Sequence, residues 1–148
     1  MKRPLTPLTL FLFLFTACTS SPDTPISSGT PMPPQTNNYA PSPEDNILTR
    51  GEVFLDSKSL ATLESYPPQF MLQLQGNLPT PCHQLRIVVS PPDADNKVVV
   101  DVYSVVNPGE ICIQVLAPFT VNYPLGSFPA GKYSLWVNGE MIAEFQAQ

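Results

Sequence analysis

The chain has 148 residues, 19 of them proline, and its 12 acidic side chains outnumber seven basic ones, for a net charge of −5. Acidity without a basic cluster excludes the positive footprint that a phosphate backbone requires, so no nucleic-acid partner is expected. It also excludes a polybasic grip on anionic lipid; the surplus charge keeps a surface soluble and non-adhesive.

Lys2 and Arg3 precede an apolar run from Leu8 to Phe15, followed by the small residues Thr16 and Ala17 and then Cys18. A membrane-spanning helix needs about 20 apolar residues. The run is too short for that and fits the h-region of a secretory signal peptide over residues 1–17. Phe15-Thr16-Ala17-Cys18 resembles the lipobox of bacterial lipoproteins, with Phe15 where Leu is usual. The resemblance implies cleavage before Cys18, diacylglyceryl transfer to its thiol, and a domain held at the bacterial cell envelope facing the periplasm or exterior. The partner so implied is the membrane, gripped by acyl chains at about 0.8 kcal/mol per buried CH₂. Cleavage removes Lys2 and Arg3 and leaves five basic against 12 acidic side chains, a net charge of −7. The competing reading is an ordinary signal peptide with a cysteine nearby.

Residues 18–45 follow as the lipidated cysteine and a linker. Residues 19–45 hold seven prolines among Ser, Thr, Asn and Gly, and Ile26, Met32 and Tyr39 are their only sizeable apolar side chains. Such a segment cannot bury enough surface to offset its ordering entropy, so a disordered tether is expected. Extended as polyproline II at about 3.1 Å per residue it reaches roughly 80 Å.

Residues 46–148 form one domain of ordinary size. Strand-like runs, rich in β-branched and aromatic residues and bounded by Pro, Gly, Asn and Asp, fall at 52–56, 69–76, 83–89, 97–106, 111–116, 120–123, 132–137 and 141–146. Phe70, Leu72 and Leu74 alternate with glutamines; Leu85, Ile87 and Val89 oppose Gln84 and Arg86; Ile111, Ile113 and Val115 oppose Gln114. Strands with one buried and one wet face are antiparallel-sheet behaviour. Residues 57–65 read as either a strand or a helical turn. Asn138-Gly139 is a type I′ hairpin signal, because both central residues need positive φ. Pro91 to Asn96 and Asn107-Pro108-Gly109 mark further turns. The expected fold is an all-β, immunoglobulin-like antiparallel sandwich of seven or eight strands.

Besides Cys18 the cysteines are Cys82 and Cys112, and in an oxidising compartment they are expected to pair. Both have the parity of polar neighbours, so the bond is expected on the wetter side of a sheet, joining strand ends or neighbouring strands. His83 is the only histidine and stands beside Cys82, with no nucleophile-elbow motif to serve. A zinc site needs more His or Cys than remain, and Asp93, Asp95 and Asn96 lack the Gly and Glu that would make an EF-hand loop. No metal, cofactor or catalytic activity is expected. Phe119, Tyr123 and Phe128 are the candidate ligand-contact residues, with core packing as their other reading.

Gly76-Asn77-Leu78-Pro79-Thr80-Pro81-Cys82, then Cys112, Pro118-Phe119, Pro124-Leu125-Gly126, Ala130-Gly131-Lys132-Tyr133 and Val137-Asn138-Gly139 follow in one order. The chain resembles a group of small bacterial secreted or lipoprotein domains with this order of motifs, across most of residues 50–147. The resemblance implies no catalytic residues. A more distant similarity, of fold alone, is to β-sandwich proteinase inhibitors. The function expected is a lipid-anchored, extracytoplasmic binding or envelope-structural module for a protein or cell-wall ligand; the alternative is a proteinase inhibitor displayed at the cell surface.

Overall fold

The computed structural model describes residues 38–148. They form a 3₁₀ turn (Pro43–Ile47) and eight strands: β1 (Thr49–Gly51), β2 (Phe54–Leu63), β3 (Gln69–Leu78), β4 (Gln84–Val89), β5 (Lys97–Val106), β6 (Ala117–Gly126), β7 (Gly131–Val137) and β8 (Glu140–Ala147). The strands make two sheets, β2-β3-β6 and β4-β5-β7-β8, with the short β1 also on β5. The chain is thus the all-β sandwich that the alternation predicts. Every strand pair is antiparallel except β5–β7, which is parallel and runs from Lys97↔Ser134 to Val100↔Val137.

The core is built from the stripes read in the sequence. Phe70, Leu72 and Leu74 of β3 and Leu85 and Ile87 of β4 are buried, as are Val98, Val100 and Val102 of β5 and Leu135 and Val137 of β7. Burying such a side chain contributes about 1.5–3 kcal/mol.

Residues 57–63 form most of β2, and 64–65 lie in the bend after it. Leu55 and Leu60 are five apart, an odd spacing that would put them on opposite faces of a regular strand. The register slips between Leu55↔Gly76 and Ser57↔Gln75, so Asp56 is an extra, bulged residue. Its carboxylate accepts from Asn77 Nδ2 at 2.9 Å, and both leucines then pack against the core. Gly76 makes this close approach: a Cβ there would collide with the Phe54 carbonyl and stand 3.1 Å from the Phe119 ring.

β5 is shared by three strands. β4 takes one edge, from Gln84↔Val105 to Val89↔Val100. The other edge is divided between β7 at residues 97–100 and β1 at 104–106. Val102 lies in the gap, and the Asn138 side chain fills it. Asn138 Oδ1 accepts from Val102 N–H at 2.7 Å, and Nδ2 donates to the Val102 carbonyl at 2.8 Å. One side-chain amide thus stands in for a peptide of a missing strand. The φ values of Asn138 and Gly139, 49° and 84°, fit the expected I′ hairpin.

The domain begins earlier than the boundary expected at residue 46. The Tyr39 carbonyl accepts from Ile87 N–H at 2.8 Å on the outer edge of β4, and the Tyr39 ring packs against the core. Ser42 caps the 3₁₀ turn, its hydroxyl accepting from Glu44 N–H while the Asp45 carboxylate accepts from Ser42 N–H. Asp45 then forks onto Arg86 through Nε at 2.7 Å and Nη2 at 2.8 Å. These side chains are only 13% and 8% exposed. The face of β4 expected to be wet at Arg86 is therefore covered by the end of the supposed linker. Residues 1–37, which carry the signal peptide, Cys18 and most of the linker, lie outside the described residues.

Two outcomes follow. Asn138→Gly keeps the turn but loses both bonds to Val102, and chemical unfolding is expected to show a loss of about 1–2 kcal/mol. Arg86 beside Asp45 holds its carboxyl below the usual carboxylate range, helped by Ser42 N–H. A lowered folded-state value stabilises above the unfolded value, about 3.9, and that stability is lost as pH falls through the folded value. Asp45→Asn is accordingly expected to be less stable than wild type at neutral pH, with the gap narrowing below pH 4 in a pH series of thermal melts.

Candidate functional site

The residues expected to contact a ligand are packing residues. Tyr123 lies in β6 and is buried in the core. Phe119, in the same strand, is half-buried and packs on the core beside Gly76. Phe128 belongs to an aromatic cluster with Phe70, Tyr133 and Phe145, its ring centroid 5.8, 5.2 and 5.3 Å from theirs. Tyr133 Oη donates to the Pro129 carbonyl at 3.0 Å. Edge and tilted ring contacts at these distances close one end of a sandwich. The three aromatics are thus placed as packing residues, Tyr123 within the core and Phe119 and Phe128 half-buried against it.

The opposite end carries the disulfide. Cys82 and Cys112 are bonded, with Cα atoms 6.1 Å apart. Their setting differs from expectation. Cys82 lies in the turn before β4, and the run 111–116, expected as a strand, has no strand partner. The bond joins a turn to a loop. The two central strands beside the run are already paired: β3 has β2 and β6 at its edges, and β5 has β4, β1 and β7.

The consequence is an apolar segment facing solvent. Ile111 is 100% exposed, Ile113 70%, Leu116 53% and Val115 50%. Cys112, between the isoleucines, is half-buried and turned toward the body by its bond. Hydrogen bonds made within 108–116 are local: Glu110 N–H to the Asn107 carbonyl, Gly109 N–H to Asn107 Oδ1, Gln114 Nε2 to the Cys112 carbonyl and Val115 N–H to the Ile113 carbonyl. Among the described residues, none ties this segment to the sheets, so the disulfide is its one cross-link to the body. Surface leucines and isoleucines occur singly on most proteins, but four within six residues of one segment are the pattern of an interaction site.

Around the disulfide the polar groups are used structurally. Thr80 Oγ1 and His83 Nδ1 are 2.8 Å apart. Ser104, fully buried, donates to the Glu52 carbonyl at 2.9 Å. Among the described residues no three His, Cys, Asp or Glu side chains gather as metal ligands. Asp93 serves its own turn, its Oδ1 accepting from Asp95 N–H and Lys97 N–H, both at 2.9 Å.

Sequence reasoning placed the disulfide but misread the run around Cys112. A signal was present: Cys82 sits in Leu78-Pro79-Thr80-Pro81-Cys82, a turn-forming stretch with no ladder to offer, so its partner has no strand to join there.

Changing Cys82 and Cys112 together to serine opens a loop of about 31 residues, which the chain-entropy model values at about 3–4 kcal/mol. Denaturant unfolding is expected to show a loss of up to that size. Proteolytic cleavage is expected to quicken in 108–116 while the amides of β3, β5 and β7 stay protected from exchange.

The region from Leu72 to Ala147, which holds β4 to β8, most of β3, both bonded cysteines and the Asn138 hairpin, matches the model of the ORF11 beta-sandwich domain. No curated protein and no solved structure matches the chain. The match spans just over half of the chain, which therefore belongs to the ORF11 beta-sandwich domain family.

Proposed function

We propose that this protein is a lipid-anchored, extracytoplasmic binding module of the bacterial cell envelope, and that the disulfide-held segment Ile111–Leu116 is its recognition element. The observation that carries this reading is the exposure of four aliphatic side chains on a segment that, among the described residues, is cross-linked to the body only by the Cys112 disulfide. Leaving such groups in water forgoes burial, and four of them clustered on one segment are the pattern of an interaction site.

The sequence supplies the anchor. Lys2 and Arg3, the apolar run to Phe15 and Thr16-Ala17-Cys18 support cleavage and lipidation at Cys18. Among the described residues no helix is long and apolar enough to cross a membrane, and acyl chains would do the anchoring instead. Nineteen residues separate Cys18 from Asn38, a reach of about 60 Å if extended. The ligand would be a protein or a cell-wall polymer. The polar groups near the segment are engaged in turns and caps, which favours binding over catalysis.

A displayed proteinase inhibitor is the second reading, favoured by the same disulfide-fixed exposed segment. An inhibitor presents its loop to the substrate cleft of a proteinase and resists cleavage there.

The anchor is tested by fractionating cells that express wild type and Cys18→Ser. Wild type is expected in the membrane fraction with an intact mass raised by lipid. Cys18→Ser is expected uncleaved or released, without that mass. Wild-type protein soluble and unmodified in the medium would overturn the reading.

A further inference from the structure

We propose that Ile111–Ile113 binds its protein partner as an added strand, through main-chain hydrogen bonds to an open β-edge whose apolar pockets receive Ile111 and Ile113. This rests on reading the segment as the recognition element and names the chemistry of what it recognises.

The backbone carries the argument. The N–H groups of Ile111, Cys112 and Ile113 and the Ile111 carbonyl have no hydrogen-bond partner among the described residues. Side chains alternate as they do in a strand: Ile111 and Ile113 face solvent, and Cys112 is fixed toward the body. A row of unpaired backbone groups flanked by alternating β-branched side chains is a template for pairing with another chain. The disulfide holds the row in place before binding, which lowers the ordering cost of association.

Neighbouring elements direct the partner here. The segment runs straight into β6, whose outer edge is open because β6 ends its sheet. That edge carries Pro118 and Pro124, and proline has no N–H to give a ladder. On the outer edge of β4 the Ile87 N–H is taken by the Tyr39 carbonyl.

A lipid bilayer also takes aliphatic side chains, but it offers nothing to bare N–H and C=O groups, and leaving them unpaired in hydrocarbon is costly. A second copy of this chain could pair, but from Asn38 onward it bears 11 acidic against five basic side chains, and two such domains repel. Glu110, exposed and next to Ile111 in the chain, favours a partner with a basic rim.

The test uses the full chain and the peptide acetyl-Lys-Thr-Val-Thr-Val-Thr-Lys-amide, a strand with basic ends. A second peptide, N-methylated at alternate residues, keeps the side chains and loses the donors. Under saturating peptide, amide exchange at Ile111–Ile113 is expected to slow by about tenfold or more, and the N-methylated peptide is expected to leave it unchanged. Ile111→Asp/Ile113→Asp is expected to lose the protection while keeping the wild-type thermal midpoint. Equal protection by both peptides would overturn strand pairing in favour of plain apolar contact. Protection given instead by phosphatidylcholine vesicles, or self-association that the double variant abolishes, would overturn it in favour of lipid or a second copy. If the double variant loses an envelope partner that wild type retains, yet the peptide protects nothing, recognition by the segment stands and strand pairing falls.

Discussion

The structure depends on satisfying both edges of β5. A central strand has two rows of N–H and C=O groups, and buried backbone groups left unpaired cost as much as a lost hydrogen bond. β4 completes one row. The other is completed in three pieces: β7, the Asn138 amide and β1. The parallel β5–β7 pair follows from the route of the chain. β6 crosses to the other sheet, so β7 returns running in the same direction as β5. β7 overlaps only the first four residues of β5, and Asn138, set by the I′ turn at the end of β7, is what the chain has at hand to reach Val102. The same Asn138-Gly139 pair thus makes a hairpin on one side and mends a sheet on the other.

Once β5 is complete, the outer face of β4 is the remaining exposure. Arg86 lies there among the Gln84 side chain and the Leu85 carbonyl, and its charge at 8% exposure needs a counter-charge. Breaking such a pair leaves an uncompensated buried charge. Asp45 provides it, held by the Ser42 cap on a proline-initiated turn. The prolines of this stretch, which suggest disorder by composition, also preset a short turn. Pro43 starts it with a fixed φ and without an N–H to satisfy.

Most of the fold was legible, because β3, β4, β5 and β7 alternate cleanly and two-residue periodicity is a direct image of a half-buried sheet. Three features were not. β2 hides its periodicity behind the Asp56 bulge, which shifts the parity between Leu55 and Leu60. The Asp45–Arg86 pair spans 41 residues, and nothing local to either side chain announces the other. The 111–116 run has a strand's pattern without a strand's partner, and whether an edge is vacant is a property of the whole topology. The candidate site was therefore half-legible: its cysteine pair could be read from composition, but the exposure of its isoleucines could not. The packing of the aromatics was hidden for the complementary reason. Phe128 and Tyr123 sit among turn residues in the sequence, yet the closed end of the sandwich gathers them.

The docking of Tyr39 on β4 has a mechanical consequence. The polypeptide enters the fold beside Ile87, and the exposed isoleucines are linked to the same strand's leading turn through Cys82. Tyr39 and Asp45 are joined to Ile87 and Arg86, β4 leads back to Cys82, and the disulfide crosses to Cys112. The start of the domain and its exposed apolar segment are thus coupled by a short cross-linked route through one edge strand, beside the much longer path along the backbone.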